Sequence, residues 1–181
     1  MKTTVLGLAL VAGLAAGPAA LAANAKVEAP IRQFIDSFNK GDAKTAAATH
    51  AAGASIIDEP PPHYWTGPGA FSAWAADLDK DAKAHGDTDG KVTLGATTFE
   101  TVTGDHAYAV MNATYGYTEK GVAMREHGHF TFALVGGRGG WKIAAWAWSG
   151  AKAVAAPAAK PAAAAKPASP AKPAAKPAPG T

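Results

Sequence analysis

Carboxylates and histidines are the residues of this sequence that could carry chemistry. Glu126, His127 and His129 lie close together in a segment with strand character. Alternate residues of a strand point to the same face, so His127 and His129 could supply two ligands to a zinc or copper ion. Asp58 ends a short apolar segment just before three prolines. It could be a partly buried acid or base, or it could simply end the strand and cap a turn.

The composition excludes several other classes of site. None of the 181 residues is a cysteine, so the chain has no disulfide, no thiolate metal site and no cysteine nucleophile. The glycine-rich run at residues 136–140 joins two predicted strands and opens no helix, so it is not a phosphate-binding loop.

The charge distribution argues against nucleic acid as a partner. Of the 17 Lys and Arg residues, six lie in the first 25 or the last 31 positions, which leaves 11 against 14 acidic residues in between. A nucleic-acid-binding core would need a basic face of its own. We therefore expect no binding of nucleic acid by the folded part.

The first 25 residues have the three parts of a secretory signal. Lys2 precedes an apolar run from Val5 to Ala16, Pro18 interrupts it, and small residues follow. Cleavage could follow Ala22 or Ala25. The sequence therefore predicts a periplasmic or secreted protein.

Residues 151–181 form a predicted tail rather than a domain. They contain 15 Ala, 7 Pro and 5 Lys, a composition that offers no core to bury and favours a disordered, extended segment. Its charge could give weak contact with an anionic cell envelope, or the tail could serve only as a solubilising spacer.

The middle of the chain, residues 26–150, is predicted to hold helices followed by strands. Apolar spacing indicates helices at 27–40, 43–50 and 68–84, with a short strand at 54–58 between the second and third. Four strand segments at 91–103, 106–118, 122–135 and 141–149 have short connections, which permit only antiparallel neighbours. The fold class is α+β, a cone-shaped curved antiparallel sheet packed on the N-terminal helices. The inside of the cone is the candidate pocket.

Residues 33–67, with the helix and four-strand meander after them, resemble the nuclear-transport-factor-2-like superfamily. Within it, the SnoaL-like and ketosteroid-isomerase-like group is the most similar, and the resemblance extends over residues 26–150. It implies a cystatin-like α+β barrel, a proton-shuttling carboxylate at Asp58, and a homodimer formed through the outer face of the sheet. Met111, Tyr115 and Tyr117 are expected on that outer face.

The same resemblance argues against a steroid isomerase. The two positions that hold hydrogen-bond donors for the enolate oxygen in such enzymes are Phe34 and Gly128 here. Neither side chain can donate, and loss of such donors removes a large electrostatic contribution to catalysis.

The resemblance also predicts which side chains line the pocket. Its aromatic walls would come from Phe34, Trp65, Trp74 and Phe130. If Gly128 faces inward and the hairpin turns at Lys120, Asn112 lies opposite Gly128, and Asn112 and Thr114 face inward as well. Asn112 would then join Asp58 in binding a ligand, or its amide would be satisfied by backbone or water.

In that arrangement His127 and His129 point away from the pocket. We therefore expect no metal site and no cofactor. Two functions remain open. The chain could bind a small, largely apolar molecule, with or without proton-transfer chemistry of an isomerase, cyclase or dehydratase type. Alternatively, it could be a non-catalytic dimerisation or interaction module that its tail tethers to the envelope.

Overall fold

The first element of the fold is a long amphipathic helix. The structure, a computed structural model, describes residues 24–157. The helix α1 spans Ala25–Lys40; the Asn24 side chain caps its first turn and Gly41 ends it. Its buried face contains Val27, Ile31, Phe34 and Ile35, as the apolar spacing predicts. The predicted signal segment up to residue 23 and the predicted tail from residue 158 lie outside the described residues.

Two further helices and two short strands follow. Helix α2 spans Ala43–Ala48 with Asp42 as its N-cap, and strand β1 spans His50–Ile57. The second helix was predicted at residues 43–50, but it ends at Ala48, and His50 already belongs to β1. Strand β2 spans Tyr64–Thr66, and helix α3 spans Ala70–His85, burying Phe71 and Trp74.

The remaining strands form the predicted antiparallel meander. Strand β3 spans Asp87–Thr103, β4 spans His106–Glu119, β5 spans Val122–Gly137 and β6 spans Gly140–Gly150. The sheet is nevertheless mixed, because β1 pairs in parallel with β6 and the strand order is β2-β1-β6-β5-β4-β3. The antiparallel prediction was based on the short connections between consecutive strands. The connection from β1 to β6 is long, so it permits parallel pairing.

The turn between β4 and β5 corrects the predicted register. Lys120 and Gly121 both have positive φ, 48° and 85°, and this two-residue turn pairs Glu119 with Val122. Ala113 therefore lies opposite Gly128, and Met111 lies opposite Phe130.

The correction exchanges the two faces of β4. Asn112 and Thr114 lie on the outer face, so the prediction that they face into the cone is wrong. Met111, Tyr115 and Tyr117, which were expected outside, face the interior, and Met111 is fully buried. A shift of one residue is enough, because successive side chains of a strand alternate between its faces.

Strand β6 also departs from simple alternation. Its pairing with β5 shifts by one residue between Ala133 and Leu134, where β6 forms a bulge. Because of this bulge, Trp141 packs against the same core as Trp146, although strict alternation along a strand would put these two side chains on opposite faces.

After β6 the chain stays in the fold for a few residues. Strand β7, Val154–Ala155, pairs antiparallel with Met124 and Arg125 of β5. The predicted tail was expected to start at Ala151, so the ordered part of the domain is slightly longer than expected. No helix within residues 24–157 is long and apolar enough to cross a membrane.

Candidate functional site

A cavity of about 300 Å³ opens between α1, α3 and the inner face of the sheet. Aromatic side chains form much of its wall: Phe34, Phe38, Trp74, Tyr115, Tyr117, Phe130, Trp146 and Trp148. Its volume is at the low end of the range typical of small-molecule pockets, which are usually apolar with a few polar groups. The polar groups in this cavity are mainly carboxyls.

Asp58 lies immediately after β1 and lines the cavity. The Trp74 indole N–H donates to its Oδ2 at 2.7 Å, and the Glu59 backbone N–H donates to its Oδ1 at 2.8 Å. Burial raises the pKa of Asp58, although the bond from Trp74 favours the ionised form. Asp58 thus has both environments that the sequence allowed, a turn contact and a buried cavity position.

Glu126 is the second carboxyl of the cavity, and sequence reasoning did not assign it to the pocket. It lies on the inner face of β5, is only 6% exposed, and accepts a hydrogen bond at 2.8 Å from the Trp148 indole N–H. Burial, together with the charges of Glu59 and Asp58, raises the pKa of Glu126 to about 7, although the bond from Trp148 favours the ionised form. The alternation that turns Phe130 inward also turns Glu126 inward, so the signal was present in the sequence.

Gly150 provides the space that Glu126 occupies. A Cβ at position 150 would lie 1.4 Å from Glu126 Oε1 and 2.7 Å from Trp148 Nε1. Gly150 pairs with Gly128 across β5 and β6, so two residues without side chains lie beside this carboxyl. The position of Glu126 therefore depends on the absence of a side chain at 150.

Asp87 and Tyr115 also line the cavity. Burial, followed by the charge of Glu119, raises the pKa of Asp87, and its Oδ1 is buried without a hydrogen-bond partner. Burial, followed by the charge of Asp87, raises the pKa of Tyr115 to about 12, so the phenol stays protonated and can donate.

Only some of the predicted pocket residues line the cavity. Phe34, Trp74 and Phe130 do so together with Asp58. Trp65 is buried between β2 and α3 instead, where its indole N–H donates to Asp77 Oδ2 at 2.9 Å, and it is not part of the cavity wall.

Asn112 and Thr114 belong to a groove on the outer face of the sheet, together with His127 and His129. The Thr114 hydroxyl lies 2.9 Å from His127 Nδ1. Within residues 24–157 no three His, Asp or Glu side chains are grouped so that they could hold a metal ion.

A half-buried histidine, His50, contacts one of the wall residues from outside the cavity. The Trp146 indole N–H donates to His50 Nε2 at 3.0 Å, and His50 Nδ1 lies 3.0 Å from the Ala46 carbonyl oxygen. Burial lowers the pKa of His50 to about 4, so the ring is neutral at physiological pH. It holds Trp146 in place and lies outside the cavity lining.

The family described as the SnoaL-like domain matches residues 27–153. The chain belongs to the SnoaL-like family. The match includes every strand of the meander and ends just before β7. No curated protein matches this SnoaL-like chain in sequence.

Solved structures share the fold of this SnoaL-like domain at low sequence identity. A ketosteroid isomerase-like protein from Erwinia carotovora is 17% identical with a TM-score of 0.55, over 71% of this chain and 95% of that one. A nuclear-transport-factor-2-like superfamily protein from Salmonella enterica is 19% identical with a TM-score of 0.57, over 70% and 90%. A nuclear-transport-factor-2-like protein with a cystatin-like fold from Novosphingobium aromaticivorans is 17% identical with a TM-score of 0.56, over 68% and 78%. These similarities confirm the predicted cystatin-like fold, and the family match confirms the predicted SnoaL-like group.

Proposed function

We propose that this protein binds a small, largely apolar molecule in its aromatic cavity and moves a proton on that molecule with Asp58 and Glu126. One observation carries the proposal. Two carboxyls, one immediately after β1 and one on β5, line the same cavity, and each accepts a hydrogen bond from a tryptophan N–H, Trp74 for Asp58 and Trp148 for Glu126. Carboxyls oriented in this way inside an apolar site are suited to general acid and base catalysis.

The protonation states suit such a pair. With a pKa of about 7, Glu126 is present both as a neutral donor and as an ionised acceptor at neutral pH. Burial also raises the pKa of Asp58, but its carboxyl accepts from two N–H donors, Trp74 and the Glu59 backbone, which favour the ionised form, so Asp58 is the better candidate for the base. Isomerisation, cyclisation and dehydration all need a proton taken from one atom of the substrate and another delivered to a second atom. We propose a reaction of this type, with Asp58 accepting and Glu126 donating.

Steroid isomerisation is not proposed. The side chain of Phe34 has no hydrogen-bond donor. It is 1% exposed and packs edge-on against Trp74. At position 128, a Cβ would lie 2.8 Å from the Trp148 ring, so the indole fills the space that a donor side chain would need. The acid here would be Glu126, on the same strand but two positions away.

Carbon-13 NMR of the carboxyl groups in the full chain tests the binding part of this proposal. We expect Glu126 to titrate near pH 7 and Asp58 to titrate above the range of a free aspartate. A library of neutral aromatic and alicyclic compounds should contain members that shift both carboxyls and the indole N–H signals of Trp74 and Trp148. If both carboxyls titrate like free side chains and no compound shifts them, the proposal fails.

Proton exchange tests the catalytic part. A compound that binds should exchange hydrogen with D₂O faster in the presence of the protein, and Asp58→Asn should slow this exchange about 100-fold or more. Asp105→Asn is the matched control, because its side chain is 76% exposed on the turn between β3 and β4. A bound compound whose exchange is the same with Asp58→Asn as with the unchanged chain would leave binding as the only function.

A homodimer is part of the proposal for a different reason. Phe99 and Tyr108 lie on the outer face of the sheet, 49% and 41% exposed, with ring centroids 5.9 Å apart. Exposed aromatic pairs of this kind favour burial against a partner. The rival function, a non-catalytic interaction module, would use this same face. Export and contact of the tail with an anionic envelope remain proposals drawn from the sequence.

A further inference from the structure

We propose that the ligand carries an organic cation, an alkylammonium or quaternary ammonium group joined to an apolar body. The inference deepens the function proposed above and rests on it, because it concerns the polar end of the molecule that enters the cavity. Three features support it: the negative charge of the cavity lining, the aromatic walls, and a buried carboxylate oxygen that has no hydrogen-bond donor.

The first observation is the sign of the charges that line the cavity. The ionisable lining residues besides the two tyrosines are one histidine, His85, and the carboxylates Asp58, Glu59, Asp81, Asp87, Glu119 and Glu126; neither Lys nor Arg is among them. Asp81 lies 3.4 Å from His85, and Glu119 lies 3.6 Å from the ammonium group of Lys120. Within residues 24–157, no ion pair includes any of the other four carboxylates. A bound cation would compensate a charge that the protein leaves uncompensated.

The second observation is the aromatic character of the same walls. Trp148 donates to Glu126 through its indole N–H, Trp74 donates to Asp58, and Phe130 lies 4.8 Å from the Trp148 ring. Ammonium groups are attracted to the faces of aromatic rings, most strongly to tryptophan, and this attraction grows when water is excluded. Rings adjoining carboxylates therefore favour a cation over a neutral group of the same shape.

The third observation is independent of the other two. Asp87 Oδ1 is buried and has no hydrogen-bond partner among residues 24–157, although Asp87 lines the cavity. Buried polar atoms are nearly always satisfied, and an acceptor needs a donor to be so. An alkylammonium N–H of a bound ligand is a donor with the appropriate charge, whereas a quaternary ammonium group has no N–H and would compensate the charge of the cavity alone.

The arrangement makes binding depend on pH with a definite sign. The titratable groups that share the cavity with Glu126 are Asp58 and Glu59 after β1, Asp87 on β3, Tyr115, Tyr117 and Glu119 on β4, and Asp81 and His85 on α3. Glu126 loses its proton as the pH rises through about 7, and the cavity becomes more negative. Affinity for a cation should therefore rise between pH 6 and pH 8, whereas affinity for a neutral molecule should not.

A pair of isosteric probes tests this inference on the full chain. Phenyltrimethylammonium and tert-butylbenzene have nearly the same shape and differ by one unit of charge. We expect NMR titration at pH 8 to show the cation binding about tenfold more tightly than the neutral probe, and this ratio should fall at pH 6. Glu126→Gln should reduce the ratio at pH 8. Asp79→Asn, an exposed residue of α3 outside the cavity lining, should leave it unchanged.

The outcomes separate this inference from the proposed function. Benzoate, an anion of similar size, serves as a third probe. If tert-butylbenzene or benzoate binds as tightly as the cation, the inference is overturned, while the apolar cavity remains the proposed binding site. If none of the probes binds, and the library of neutral compounds described above also fails, both proposals fall together. Preferential binding of the cation that is lost in Glu126→Gln supports both.

Discussion

Glu126 places a carboxyl where its charge costs stability. Its pKa in the folded protein, about 7, lies above its ordinary value of 4.5, so the folded state holds the proton more tightly than the unfolded state does. The stabilisation from this proton is fully present below pH 4.5 and is lost as the pH rises through 7. The ionised form of Glu126 therefore lowers the free energy of unfolding.

We therefore expect Glu126→Gln to stabilise the protein at alkaline pH. The amide can still accept from Trp148 but carries no charge, so the free energy of unfolding at pH 8 should rise by about 1–3 kcal/mol, with little change at pH 4. Urea denaturation at both pH values measures this. Asp105→Asn, at a side chain that is 76% exposed, is the control, and an equal effect of Glu126→Gln at both pH values would contradict the pKa assignment.

Gly150 is the residue on which the position of Glu126 depends. Gly150→Ala would put a methyl group in the space of the Glu126 carboxyl and break its bond with Trp148. We expect a destabilisation of about 1–3 kcal/mol and a shift of the Trp148 indole N–H signal. Gly137→Ala is the matched control, because no atom lies within 4 Å of its Cβ position. An unchanged indole signal in Gly150→Ala would show that Glu126 is not held there.

At the scale of elements, the turn between β4 and β5 sets which side chains line the cavity. Gly121 has a φ of 85° in this turn, with open space around its Cβ position. Gly121→Ala should therefore cost about 1 kcal/mol through backbone strain alone. Thermal unfolding measures the loss. An effect above about 3 kcal/mol, or altered chemical shifts throughout β4, would indicate that the register itself has changed.

The order and type of the main elements could be read from the sequence because the signals were local. The apolar spacing predicted α1, and the short connections between strands predicted the antiparallel meander. The family resemblance brought Asp58, Phe34, Trp74 and Phe130 to one cavity. These parts depend on alternation, helical period and chain order, which are visible without coordinates.

The remaining part of the site depended on a turn type. Lys120 gives no sequence signal for a positive φ, so a three-residue turn was as plausible as the two-residue turn that forms. That uncertainty of one residue placed Asn112 in the cavity instead of Tyr115. The bulge in β6, which brings Trp141 to the core side, is equally invisible in alternation.

At the scale of the whole molecule, the outer face of the sheet should decide the oligomeric state. We expect the chain to sediment as a dimer and the double variant Phe99→Ser, Tyr108→Ser to sediment as a monomer, because it loses an exposed aromatic pair. Val122→Ser, which also removes an exposed apolar side chain, is the control. Sedimentation velocity over a range of concentrations measures this, and a monomer at all concentrations in the unchanged chain would refute the dimer.

The two-residue turn at Lys120 and Gly121 also has an evolutionary consequence. One residue inserted there, with the far strand kept in place, would exchange the faces of β4. Asn112 and Thr114 would enter the cavity while Tyr115 and Tyr117 left it. A homologue could in this way acquire a new ligand preference through a change in loop length alone. The residues of β4 would be identical in an alignment, although different ones would line the cavity. Comparisons of relatives by residue identity alone would miss such a change, and the length of this loop is the character to compare.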